Sequence, residues 1–162
     1  MCLFVWVGSA RGLTPHRAPP GDAPDPLLGY YSVQPVLPDA PIARHFAARA
    51  ISCVGSHEGC GCGYNADTSR FDGFESMEDV LALMGALSTE EQGELLAGHR
   101  SRERLRDLIV EASRWGDVEV YACWSGDEEE PATETREVDA DHFTRLLQPL
   151  AEGVKYLIRQ TA

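Results

Sequence analysis

The chain opens on an almost unbroken apolar run, Cys2 to Gly8, the pattern of a central strand with both sheet faces covered. From Ser9 to Pro26 the pattern lapses. Pro15, Pro19, Pro20, Pro24 and Pro26, together with Gly12 and Gly21, make a Pro/Gly-rich surface loop at about 9–26, long enough to be either mobile or functional. Leu27 to Val36 resumes as a strand closed by Pro35 and Pro38. Asp39 then predicts an N-cap, with Pro41 in the first turn, for a short amphipathic helix carrying Ile42 and Phe46. Ala50 to Gly55 reads as a further strand, with Ile51 and Cys53 facing one way and Ser52 and Val54 the other.

Beyond a glycine-rich segment from Ser56 to Gly73, capping pairs set out the helices. Ser76 with Asp79 opens one over Val80, Leu81, Met84 and Leu87, and Ser88 with Glu91 opens a second through Leu95 and Leu96. Gly98 is expected to break that helix before Ser101 caps a third. In the third, Leu105, Leu108, Ile109, Ala112 and Trp115 form one stripe, with Arg102, Arg104 and Arg106 largely off it. Val118 to Ser125 alternates as a strand whose apolar face is Val118, Val120, Ala122 and Trp124. An acidic turn at about 126–132 and a short edge strand over Thr133 to Val138 follow. Asp139 caps a helix through Phe143, Leu146 and Leu147, and Val154 to Gln160 is a closing strand. The expectation is an α/β (or α+β) protein, a single globular domain over 1–162. It has a mixed sheet of five or six strands and four or five packed helices, its strand order left open.

Composition narrows the class. The 162 residues suit one domain of about 100–200, and 43% hydrophobic with 25% charged residues excludes a disordered chain, a collagen and a coiled coil. Lys and Arg number 14 against 26 Asp and Glu, a net charge of -12, so the expected partners include no nucleic acid and no anionic membrane. No stretch approaches the roughly 18 apolar residues of a membrane span. MCLFVWVG lacks a basic n-region and reads as a strand, not a leader. Five cysteines, an odd number, argue against an exported disulfide framework and for a reducing, cytoplasmic setting.

The cysteines also carry the one suggestive constellation. Cys53, His57, Cys60 and Cys62 are all metal-ligand types in a C-x3-H-x2-C-x-C spacing, with Gly59, Gly61 and Gly63 interleaved. Zinc takes such ligands in a tetrahedral shell, and a short loop reduces the entropy lost on binding. Should Cys53 point into the core, His57, Cys60 and Cys62 remain, with a fourth position for water. A second reading needs no metal: His57 holds Cys60 or Cys62 as a thiolate nucleophile while glycine N–H groups stabilise charge, or the two thiols form a redox pair. In the third, the loop is inert within a structural or interaction protein, a homodimer for example, whose cysteines behave as small hydrophobes. The glycines point to positive φ angles or close backbone approach.

Other candidates are thinner. Removal of Met1 would give Cys2 an amino-terminal thiol of the kind amidotransferases use, although an inward-pointing strand residue is the simpler reading. Cys123 either approaches the loop or lies under a helix, and Asp67, Thr68, Ser69 and Arg70 suit a pocket lining or an Asx turn. His99 and His142 sit by helix boundaries, His16 and His45 have no evident partner, and Arg100 to Arg106 read as a surface ion-pair network. No phosphate-binding glycine loop with lysine, no HExxH and no G-x-S-x-G is present.

At Ser56 to Asn65 and at the opening MCLFVWV, the chain resembles a family of small uncharacterised bacterial proteins that begin with Met-Cys-Leu and share a Ser-His-x-Gly-Cys-Gly-Cys-Gly-aromatic motif. The resemblance singles out Cys2, Ser56, His57, Gly59, Cys60, Gly61, Cys62 and Gly63 and leaves Cys53 out. It implies no particular activity, substrate or small-molecule ligand.

Overall fold

The apolar run at the start forms strand β1 (Leu3–Ser9), with Leu3, Val5 and Val7 on one face and Phe4 and Trp6 on the other. In the computed structural model, described over residues 2–16, 32–65, 82, 84–145 and 150–160, this strand lies in the interior of a six-stranded sheet. Its neighbours are β3 (Ala50–Gly55) and β4 (Val118–Trp124), both antiparallel to it. Outside them lie β2 (Ser32–Pro35) on β3 and β6 (Val154–Ile158) on β4, again antiparallel. The last strand, β5 (Glu134–Glu137), runs parallel to β6 at the edge. The order β2-β3-β1-β4-β6-β5 puts Pro35 on one edge strand and the exposed Glu-Thr-Arg-Glu run on the other. A proline and a row of charges both discourage further strand pairing.

The sheet matches the expected mixed type; the helices do not match. Among the described residues there is one continuous α-helix, α1 (Thr89–Ser113), and not four or five. It begins where the capping pair predicts, with the Ser88 hydroxyl accepting from the Glu91 N–H and the Glu91 carboxylate accepting from the Ser88 N–H. It then runs 25 residues without a break. Gly98 stays helical because its cost, about 1 kcal/mol against alanine, is small beside the packing of a buried face. Ser101 caps nothing, its hydroxyl being turned to His57.

The helix expected from Asp39 is a single 3-10 turn, Pro41–His45, and Asp39 does not cap it. Only four residues separate His45 from β3, which leaves no chain for a longer helix. Asp139 does cap, accepting from the His142 N–H at 2.9 Å, but its element is again a 3-10 turn, Ala140–Thr144. Leu146, Leu147, the strand segment Leu27–Tyr31, Asp67, Thr68, Ser69 and Arg70, and the helix expected over Val80, Leu81, Met84 and Leu87 as far as Leu81 lie outside the described residues; Ala82 and Met84 of that helix are helical, and Leu87 is not.

Two layers cover the sheet. Leu105, Ile109 and Ala112 of α1 pack on Leu3, Val5, Val7, Val54, Val120 and Tyr156, the main core. On the opposite face Ile42 packs with Tyr121 and Cys123, flanked by Trp6, Val36 and Phe46. The face of β4 with the polar letters is therefore as buried as the apolar one. Its Glu119 is saturated there by the Ala47 and Ala48 N–H groups at 2.8 and 3.0 Å and by Lys155 Nζ at 2.9 Å. Two stripe assignments on α1 also change. Arg102 is buried, while Trp115 falls beyond the helix end, 53% exposed, with the Arg11 guanidinium 3.6 Å over its ring.

Candidate metal centre

The loop leaves β3 beside the first residues of β1, because Trp6 pairs with Cys53 in an antiparallel register that brings Leu3 level with the strand exit. Ser56 organises the turn. Its carbonyl accepts from the Gly59 N–H at 2.9 Å, its own N–H donates to the Cys60 carbonyl at 2.7 Å, and its hydroxyl donates to that carbonyl at 2.6 Å. The Gly61 N–H then donates to the Leu3 carbonyl at 2.8 Å, tying the loop to β1. At the far end the Asn65 side chain exchanges two hydrogen bonds with the backbone of Leu150, at 2.9 and 2.8 Å.

The three alternating glycines have distinct reasons. Gly59 takes φ +78°, in the left-handed region that disfavours side chains. At Gly61 a Cβ would stand 2.7 Å from Val5 Cγ2, and at Gly63 one would stand 2.5 Å from His57 Cε1 and closer still to Ser56 Oγ. The loop is folded onto the sheet and onto itself too tightly for side chains there.

This folding brings backbone donors to both sulfurs. The Leu3 N–H points at Cys62 Sγ, 3.3 Å away, and the Cys62 N–H at Cys60 Sγ, 3.4 Å away. Such donors favour thiolate over thiol. Burial acts in the other direction and is the larger effect at Cys60. The thiol is pushed up to about 12, the Cys62 N–H opposing the shift and the neighbouring Cys62 and Cys2 sulfurs adding to it. Without a cation, Cys60 is a protonated thiol at neutral pH, the reverse of what a nucleophile needs.

Two sets of ligand-type atoms converge here, each with all its atoms within 4.8 Å of one another: Glu58 with Cys60 and Cys62, and His57 with Glu58 and Glu94. The chain thus has a His/Cys/Glu cluster able to coordinate a metal ion such as zinc. Two thiolates and a carboxylate make a donor set zinc accepts. Among the described residues, His57 does not share one such group with both sulfurs. Cys53 stands in neither group. Paired with Trp6 and Gln34, it projects from the sheet face opposite Val54 and the main core, and its thiol is pushed up to about 11 by burial and by Cys123. Cys123 lies on that same far face, its thiol raised by burial.

His57 itself is held from α1. Ser101 Oγ sits 2.9 Å from its Nδ1 and accepts from its backbone N–H at 3.2 Å. Nε2 faces Glu94 Oε2 at 3.7 Å. Glu94 and Ser101 are seven residues apart, two helical turns, so one face of α1 presents both to the ring. Buried Arg102, next along, donates to the carbonyls of Tyr64 and Arg145 and anchors the loop's end, its guanidinium lowered to about 10 by burial.

Sequence reasoning did not single out Glu58 or Glu94 as site residues, and marked Ser101 only as a helix cap. Glu58 carries a local signal, lying between His57 and Cys60, whereas Glu94 and Ser101 join only through packing of α1 on the loop. Cys2 is exposed, ahead of β1, rather than pointing inward. The remaining candidates stand apart from the cluster. His142 rests against Phe143 and Tyr156, His99 faces Glu103 one helical turn on, and His45 lies by the Glu128 carbonyl. His16 bridges to Val33, and Arg106 pairs with Asp141 and Asp107. Among the described residues no helix is long and apolar enough to cross a membrane. Compared with protein-family models, curated proteins and solved structures, the chain has no significant match to any of them.

Proposed function

We propose that the protein is a metal-binding domain that holds a zinc-class divalent ion through Cys60, Cys62 and Glu58. The observation that carries the reading is the gathering of two sulfurs and a carboxylate within 4.8 Å, with the loop's own Cys62 N–H aimed at Cys60 Sγ and the Leu3 N–H of β1 aimed at Cys62 Sγ. N–H donors compensate thiolate charge around a bound metal, and three protein ligands leave a fourth position for water. The raised Cys60 thiol speaks against nucleophilic chemistry in the metal-free chain and fits a ligand that releases its proton as the metal enters.

The proposal extends to setting and kinship. Five free thiols support a reducing, cytoplasmic environment, and a net charge of -12 opposes nucleic-acid partners. The residues of the Met-Cys-Leu family motif have defined places in this reading: Ser56 closes the turn, the glycines permit it, and His57, Cys60 and Cys62 supply donors. Protein purified without added metal or an affinity-tag nickel column is expected to carry zinc in stoichiometric amount by mass spectrometry. Cys60→Ser and Cys62→Ser should lose the ion held by the two sulfurs and Cys53→Ser should keep it. Protein with intact thiols and no stoichiometric metal, before or after reconstitution, would return the loop to an inert one.

A further inference from the structure

The two groups of candidate ligands have Glu58 in common. We infer that the loop and α1 hold two divalent transition-metal ions bridged by the Glu58 carboxylate: one ion on Cys60 and Cys62, the other on His57 and Glu94. This rests on the metal-binding reading and adds to it a second ion, a bridging ligand and the helix face that supplies the rest.

His57 carries the second position. Its side chain is 8% exposed, and its Nε2 has no hydrogen-bond partner among the described residues. A buried ring nitrogen left unpaired is costly and calls for a ligand. The nearest acceptor, Glu94 Oε2, stands at 3.7 Å, too far for a hydrogen bond. Two ligands each about 2.0–2.1 Å from one tetrahedral ion stand roughly 3.3 Å apart, so little movement of Glu94, whose side chain is 68% exposed, would close the shell.

The ring is also oriented for the task. With Nδ1 2.9 Å from Ser101 Oγ, a proton on Nδ1 has an acceptor, and Nε2 is then the unprotonated nitrogen, which faces Glu94. Ser101 is a positioning residue and not a ligand.

The bridge follows from the division of donors. Glu58 reaches both groups, while His57 and the two sulfurs do not share one. In two-metal sites the ions stand about 3.5–4 Å apart, a separation one carboxylate spans with an oxygen on each. The sets also differ in character: two sulfurs and a carboxylate favour a soft or borderline ion, whereas one imidazole and two carboxylates accept harder ones. A second cation further offsets the repulsion among two carboxylates and two thiolates gathered in one place.

The test is a titration of the metal-free, reduced full-length chain with cobalt(II) under anaerobic conditions. It is read by the thiolate-to-cobalt charge-transfer absorption and by equilibrium metal count, and repeated with zinc. Two ions per chain are expected, with only one event producing the charge-transfer band. His57→Ala and Glu94→Gln should each reduce the count from two to one with the band kept. The Cys60→Ser/Cys62→Ser double variant should lose the band and one ion, and Glu58→Gln should weaken both events at least tenfold. Glu94 is exposed, so its variant reads the site even if His57→Ala unfolds. One ion unaffected by His57→Ala and Glu94→Gln overturns the bridged pair and leaves the cysteine site standing. One ion lost equally in the histidine and cysteine variants also overturns it, in favour of a single shared ion. No ion at all ends both readings.

Discussion

Two pairs of cysteines lie on opposite sides of the same sheet. Cys60 and Cys62 sit on the α1 side, where each sulfur meets a backbone N–H and Glu58 is at hand. Cys53 and Cys123 project on the far side, where they are packed by strand neighbours and the Ile42 cluster. Burial raises three of these thiols, Cys53, Cys60 and Cys123, so a raised thiol by itself does not distinguish a ligand from a core residue. The backbone does. Amides left free of the ladder, at Cys62 in the loop and at Leu3 where β1 begins, offer the loop sulfurs compensation for negative charge, whereas amides inside the strands are consumed by the ladder and leave a sulfur there as a small hydrophobe.

The sharpest way to break this contrast is metal-linked stability. At a free zinc concentration about a hundredfold above the dissociation constant, binding raises folding stability by about 2.7 kcal/mol. The gain in thermal midpoint with zinc should fall in Cys60→Ser and Cys62→Ser and survive whole in Cys53→Ser and Cys123→Ser. A far-side variant that also reduced it would dissolve the distinction.

Next in size is the packing of the loop. Gly63→Ala drives a Cβ into Ser56 and His57 and should cost about 1–3 kcal/mol in urea denaturation, while Gly93→Ala on α1, with nothing within 4 Å, should stabilise by about 0.4–1 kcal/mol. Equal effects would mean that the tight fit around His57 has no energetic weight.

The smallest effect is on alkaline stability. Cys53 and Cys60 are pushed up to about 11 and about 12 in the folded, metal-free chain, against about 8.5 in an unfolded one. The unfolded state therefore ionises first. The contribution of each thiol is whole below the unfolded value and is lost as pH rises towards the folded one. Melting of the metal-free protein between pH 8 and 10 should show a decline that Cys53→Ala reduces. Bound zinc should remove the Cys60 part, because both loop thiols are then deprotonated in the folded state. A decline identical in wild type, Cys53→Ala and the zinc-loaded protein would assign it to other groups.

The strands were legible because alternation and apolar runs are local. Ala50–Gly55 is found at its expected bounds, and the described parts of the others lie within or next to theirs. The start of α1 was legible for the same reason, since the Ser88–Glu91 box acts within one turn. Helix extents were not. Gly98 and Ser101 carry break and cap signals that a buried helix face overrides, and Asp39 signals a start in a segment too short to continue. The second buried face of β4 was missed because Glu119 and Tyr121 look solvent-facing until Lys155, Ala47, Ala48 and the Glu130 carbonyl satisfy them.

By itself the sequence determined a mixed sheet, the first turn of its main helix and a loop in which His57, Cys60 and Cys62 stand among glycines. These depend on side-chain periodicity, cap chemistry and the missing Cβ, all readable within a few residues. Tertiary structure decided the rest: that α1 is continuous, that Cys53 turns to the far face, and that Glu94 and Ser101 meet His57 from more than thirty residues away along the chain. Such meetings depend on which buried surfaces fit together across the fold, and local pattern records that a face will be covered without naming what covers it.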